Sequence, residues 1–220
     1  MSHTWTRPPN VFTLDAGKAA FVIIDMQNFS CAPADCASMP GLDDVIRRIN
    51  RLAAACRERG IPVIWVRHTI TSKDGANDGG LYALLHGGER TEAVVNRSEE
   101  TEIFHMMDVD SSRDHIAFKN RYSAFLSNPP ELRNKLDALG RTQLLIAGIA
   151  ANVCVESTIR DAMQLDYEVV LVSDGVAAAN DALLEGTLTN VRLFFGDVRT
   201  AEEIMGELAK RTPYTTGRNL

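Results

Sequence analysis

A chain of 220 residues, 45% of them hydrophobic and 24% charged, can bury one substantial core and is too apolar to be intrinsically disordered. A formal net charge of −6 offers no electrostatic attraction to nucleic acid or to an anionic membrane surface, so neither is an expected partner. The longest apolar runs fall far short of the ~18 residues of a membrane span, and Met1 to Pro9 lacks the apolar core of a signal peptide.

Residues 1–18 are polar, contain Pro8, Pro9 and Gly17, and read as an arm lying on the surface or on a partner subunit. Ala19 to Ile24 is a continuous apolar run ending in Asp25, the pattern of a central parallel strand buried on both faces. Leu42 to Arg59 carries Val45, Ile49, Leu52, Ala53 and Cys56 at helical spacing, with Gly60 as a stop. Ile61 to Val66 is the next strand, with Pro62 near its start. Thr69 to Asp114 is too long for a plain connection and is expected to hold short helices and a loop covering the substrate. His115 to Phe118 is a third strand ending at Lys119. Pro129 to Leu139 is a helix, Gln143 to Ala147 a fourth strand, Asn152 to Leu165 a helix, and Glu168 to Val172 a fifth strand. Ala182 to Asn190 is a helix, Val191 to Phe194 the last strand, and Ala201 to Lys210 a closing helix.

This alternation predicts an α/β fold of three layers, a doubly wound, mostly parallel sheet with helices on both faces. No composition break divides 19–220, which reads as one domain behind the arm. Ligands in such sheets bind beyond the carboxyl ends of the strands. That rule singles out Asp25, Lys119 and the loop leading to Cys154. By position alone Asp25 is either a strand-end cap or a functional carboxylate, and a strand-end lysine is more often solvated than functional. Cys154 lies where a strand enters a small-residue turn and then a helix. There the macrodipole and the free N–H groups of the first turn favour a thiolate and can hold an oxyanion. Cys31, Cys36 and Cys56 fit the alternative, a small buried apolar side chain. Four cysteines make no disulfide framework here, and the expected setting is a reducing cytoplasm. Cys31 and Cys36 have no partners at zinc spacing, so neither metal nor cofactor is expected. The three suspects suit one chemistry: a carboxylate takes the thiol proton, a lysine balances charge, and sulfur attacks a carbonyl carbon.

Phe21 to Asn28, Lys119 to Phe125 and Gly148 to Val155 together resemble the motifs of the isochorismatase-like cysteine hydrolases, in their order and strand context. The resemblance implies a catalytic triad of Asp25, Lys119 and Cys154. It also implies a cis Ile149–Ala150 peptide that aims the N–H groups of Ala150 and Cys154 at the oxyanion. In nicotinamidases of this family an Asp-x-His element after the second strand binds metal. Val66-Arg67-His68 lacks that aspartate, so no metal site is implied.

The stretches Asn152 to Asp161 and Phe194 to Val198 look closest to the ureidoacrylate amidohydrolase branch, whose relatives cleave carbamoyl, biuret-like or triuret-like substrates. That likeness implies a homo-oligomer, dimer or tetramer, and a substrate bordered by His68 and Tyr122. Phe29, Gln27 and Phe125 are further candidates for the pocket wall. Arg121 could clamp a substrate carboxylate or pair with a nearby acid (Asp108, Asp110 or Asp114), the second being preferred, and Trp65 is read as core. Asn152, Glu156 and Arg160 are read as fixing the nucleophile's turn and helix, or as a subunit contact, rather than as touching substrate. Two alternatives stay open: vinyl-ether hydrolysis of the isochorismatase type, which needs no cysteine, and a catalytically silent binding protein on the same fold.

Overall fold

The structure, a computed structural model, describes residues 7–31, 39–70, 81–82, 84–86, 94 and 99–210. Six strands form one parallel sheet: β1 (Ala19–Ile24), β2 (Val63–His68), β3 (His115–Lys119), β4 (Gln143–Gly148), β5 (Glu168–Val176) and β6 (Asp197–Arg199). Their spatial order is β3-β2-β1-β4-β5-β6, so the winding direction reverses between β1 and β4. The crevice where ligands are expected therefore opens beyond Ile24 and Gly148, which face each other in register.

Period-two alternation builds two cores from one set of strands. Phe21, Ile23, Trp65, Leu145 and Val170 point to one face, where α1 (Leu42–Glu58) and α5 (Ala201–Ala209) cover them with Ile49, Leu52, Ile204 and Leu208. Val22, Ile24, Ile64, Ile146 and Leu171 point to the other face. There α2 (Glu131–Leu139), α3 (Glu156–Gln164) and α4 (Asp181–Asn190) supply Leu132, Leu136, Ile159 and Leu188. Each central strand is buried on both faces, which is why β1, β2 and β4 read as unbroken apolar runs.

Two expectations need correction. Val191 to Phe194 is not a strand: Val191–Phe195 continues α4 as a π-helical turn, and the sixth strand is Asp197–Arg199. Two of its three residues are charged. Their burial is sustained by ion pairs, Asp197 with Arg7 and Arg199, and Arg199 with Glu207. The second strand begins at Val63 rather than Ile61 and runs on to His68, which brings that histidine into the sheet.

The described part of the arm packs on its own chain. The N–H groups of Val11 and Phe12 donate to Asp197, that of Leu14 to Glu207, and that of Asp15 to Gln143. These contacts sit at the amino-terminal edge of the sheet, opposite the crevice. Trp65 is core, as expected, with its indole N–H on Asp114. Among the described residues no helix is long and apolar enough to cross a membrane.

Candidate active site

Asp25 leaves β1 with φ 53°, a left-handed conformation unusual for a side-chain-bearing residue and tolerated best by Asn and Asp. The turn is held from both sides: Asp25 N–H donates to Val66 O, and Asp25 O accepts from Ser30 Oγ. Lys119 ends β3, in register with His68 of β2, and its side chain crosses the strand ends to β1. Its Nζ lies 2.9 Å from Asp25 Oδ2, 2.9 Å from Arg121 O and 3.3 Å from Cys154 Sγ. All three ammonium protons thus have a partner.

Cys154 sits in a π-helical turn, Ala151–Val155, that leads into α3. Gly148 makes the approach to it, with φ 118° and so close to β1 that a Cβ would stand 2.1 Å from Ile24 O. No other residue fits there. The Ile149–Ala150 peptide that follows is cis, as the resemblance implies. Behind the turn, Glu156 accepts from Arg160 at 2.6 Å, Thr187 at 2.7 Å and Asn190 at 3.1 Å. Glu156 and Arg160 therefore fix the helix, as their sequence context suggested.

These elements enclose a cavity of about 110 Å³, well below the several hundred Å³ of a drug-sized site and suited to a compact molecule. Asp25, His68, Tyr122, Phe29, Ala150 and Cys154 line it, so most of the expected site residues meet there. Tyr82, His86, Ser30, Met39 and Val153 line it too. Sequence reasoning missed these: Tyr82 and His86 lie in the long 69–114 segment, whose apolar spacing follows no period. Tyr82 packs edge-on to His68 with ring centres 5.1 Å apart, and His86 Nε2 contacts the Tyr122 hydroxyl.

Two expected wall residues lie elsewhere. Gln27 is wholly buried and its amide is spent on structure: Nε2 donates to His68 O and Thr101 O, and Oε1 accepts from His68 N–H. Phe125 belongs to the core, packed on Tyr167. Asp108 and Asp114 pair with Arg57, and Asp110 with Arg113, while Arg121 donates to Asn120 O. Cys31 and Cys56 are buried; Cys36 and much of the expected covering loop lie outside the described residues. Among the described residues no group of three or more His, Cys, Asp or Glu side chains could hold a metal.

Electrostatics separate the groups. Burial, only partly offset by Lys119, holds the Asp25 carboxyl above its ordinary range. Burial opposes the Lys119 charge, but Asp25 and Cys154 outweigh it and keep the ammonium above its usual value. Burial, then the Asp25 charge, pushes the Cys154 thiol up, with Lys119 pulling the other way. The helix-terminal effect expected to favour a resting thiolate is thus outweighed by desolvation. Burial, then the electrostatic influence of Lys119, His86 and Arg121, holds His68 well below the usual imidazole range, so its ring is neutral. Among the described residues, two buried polar atoms in the cavity wall, Asp25 Oδ1 and His68 Nε2, have no hydrogen-bond partner.

Residues 19–203 match the model of the isochorismatase domain family. The chain belongs to the isochorismatase family. Ureidoacrylate amidohydrolase RutB of Methylobacterium radiotolerans is 30% identical over 218 residues, 90% of this chain and 83% of that protein. The protein of the same name from Methylorubrum extorquens is 31% identical over 225 residues, 93% of this chain and 90% of its own. Among solved structures, a cysteine hydrolase from Pseudomonas syringae pv. phaseolicola superposes with a TM-score of 0.83 at 24% identity, covering 93% of this chain and 99% of that one.

Proposed function

We propose that this member of the isochorismatase family is a cysteine-dependent amidohydrolase. It cleaves a C–N bond of a small ureide or amide, of the ureidoacrylate, biuret, triuret or carbamoyl kind, through a thioester acyl-enzyme. The observation that carries the reading is the meeting of three side chains at one cavity, Asp25 and Cys154 in its wall and Lys119 Nζ buried beside them, 2.9 Å from Asp25 and 3.3 Å from Cys154. Relatives named ureidoacrylate amidohydrolases at about 30% identity support the substrate class.

At rest Lys119 and Asp25 form a charged pair and Cys154 is a neutral thiol. Asp25 takes the thiol proton as sulfur bonds to the carbonyl carbon, and the carbonyl electron pair moves onto oxygen. The N–H groups of Ala150 and Cys154 receive that oxyanion, each such donor being worth about 3 kcal/mol in related chemistry. The C–N bond breaks as Asp25 passes its proton to the departing nitrogen, releasing ammonia or an amine. Water then gives a proton to Asp25 and its oxygen adds to the thioester; the expelled thiolate recovers the proton, and the acyl group leaves as the acid, a carbamate where a carbamoyl group was transferred. Lys119 stays an ammonium throughout and balances the negative charge that moves between carboxylate and sulfur. The neutral His68 ring offers Nε2 to a polar group of the substrate, and Tyr122 and Phe29 close over its plane. The reading carries with it one hydrolase domain from residue 19 onward, a cytoplasmic setting and a homo-oligomer.

Cys154→Ala and Asp25→Asn test it, assayed by ammonia release from a panel of ureidoacrylate, biuret, triuret, carbamoyl amino acids, nicotinamide and maleamate. Both should lose turnover by about 10³-fold or more with the fold intact, and mass spectrometry should trap an acyl adduct on Cys154 alone. A raised Asp25 carboxyl also suits proton donation, which favours acid-catalysed vinyl-ether hydrolysis as the second reading. Under that reading Cys154→Ala keeps its activity and Asp25→Asn does not. An inert panel with no adduct would point to the silent binding protein.

A further inference from the structure

We infer that Thr158 is a positioning residue whose hydroxyl registers the nucleophile's turn against the loop that holds Lys119. The inference rests on the amidohydrolase reading above. Thr158 lies on α3, fully buried, and both capacities of its hydroxyl are used. Oγ1 donates to Cys154 O at 2.7 Å and accepts from Ala124 N–H at 3.1 Å. A threonine bonding back to the carbonyl four residues earlier is common in helices. The second bond, to another element 34 residues away in the chain, is what local helix chemistry does not require.

The loop in question runs from 120 to 128. Asn120 ties its neck shut: its Oδ1 accepts from Asn128 N–H and Ser127 Oγ, and its Nδ2 donates to Asn128 O. Near the start of the loop, Arg121 O accepts from Lys119 Nζ. The Lys119 ammonium therefore takes its position partly from this loop and partly from Asp25 and Cys154. Thr158 fastens the loop's interior to the carbonyl of the nucleophile itself. One hydroxyl thereby joins the backbone carrying the sulfur to the backbone that holds the cation beside it. Take it away, and Ala124 N–H loses its acceptor inside the core, and the lysine and the sulfur lose a shared anchor. Misplacement on that scale acts on the reacting geometry rather than on substrate affinity.

The experiment compares the full-length wild type with Thr158→Val and Thr158→Ser. It measures kcat and KM on the panel ureide that the wild type turns over fastest, the rate of Cys154 carbamidomethylation by iodoacetamide at pH 8, and Tm. Thr158→Val should lower kcat about tenfold with KM within twofold, and shift the alkylation rate at least about threefold. Thr158→Ser keeps both hydrogen bonds and should hold both rates within about twofold of wild type. A folded Thr158→Val with wild-type kcat and alkylation rate overturns the inference. So does a folded Thr158→Ser that loses kcat tenfold, which keeps the test decisive even if the valine variant does not fold. Failure of the amidohydrolase reading looks different: Cys154→Ala would stay active, whatever Thr158 does.

Discussion

The Lys119 ammonium stands 2.9 Å from Asp25 Oδ2, and the two side chains are 0% and 5% exposed. Removing one partner of such a pair strands the other charge in a medium that solvates it poorly. Lys119→Met should cost about 3–5 kcal/mol at pH 7 by urea unfolding and abolish turnover. Without the lysine the largest influence opposing desolvation of Asp25 is gone, so its pKa rises further. Part of the lost stability should then return as the pH is lowered and the carboxyl takes up a proton.

His68 sets the opposite slope. Its folded pKa lies well below 6.5 and its unfolded value is ordinary, so the unfolded chain binds the extra proton first as pH falls. Its stabilising effect is complete above about pH 6.5 and is lost below it, at up to ~1.4 kcal/mol per pH unit. Denaturant titrations between pH 7.5 and 5 should show the wild type losing stability faster than His68→Asn. Equal slopes would mean that the ring takes a proton in the folded state.

Iodoacetamide should find Cys154 a reluctant nucleophile. With burial and Asp25 both raising the thiol, its alkylation rate should keep climbing beyond pH 9 instead of levelling off near neutrality. Asp25→Asn removes one of those two opposing influences and should speed alkylation at pH 8. A plateau below pH 7 would show a resting thiolate.

Gly148→Ala should fail structurally. The added methyl would meet Ile24 O, N and C at 2.1, 2.6 and 2.8 Å, all backbone atoms of the central strand. The expected loss is about 3 kcal/mol, read by thermal unfolding, together with loss of activity as Asp25 and Cys154 are pushed apart.

Gln27→Ala removes the partner of the His68 carbonyl and of the His68 N–H in the interior, while Thr101 O keeps its bond from Arg67 Nε. A stability loss of about 3 kcal/mol is expected, because each orphaned buried group carries its own desolvation cost. Any change in kinetics should act through His68, the cavity residue to which the glutamine side chain is bonded.

Asp25, Lys119 and Cys154 were legible in the sequence because each ends or follows an apolar run, and a doubly wound sheet gathers strand ends. That logic says nothing about which polar neighbours face the cavity. Gln27 and His68 are adjacent in space and equally polar, yet one is consumed by backbone partners and the other is left facing the cavity. Only three-dimensional pairing separates them. The sixth strand was missed for a related reason: Asp197 and Arg199 are buried by neutralising each other and Arg7, and hydropathy reads both as surface. Thr158 likewise looks like any helical threonine until Ala124 arrives from another element.

The sheet order has a temporal corollary. β1, β2 and β3 together deliver only the carboxylate and the ammonium; the sulfur arrives with β4, which pairs with β1 across more than a hundred residues of intervening chain. Contacts of such long sequence separation are slow to form. Recovery of turnover during refolding should therefore trail the recovery of helical signal, making catalysis itself a late reporter of when the two halves of the sheet have joined.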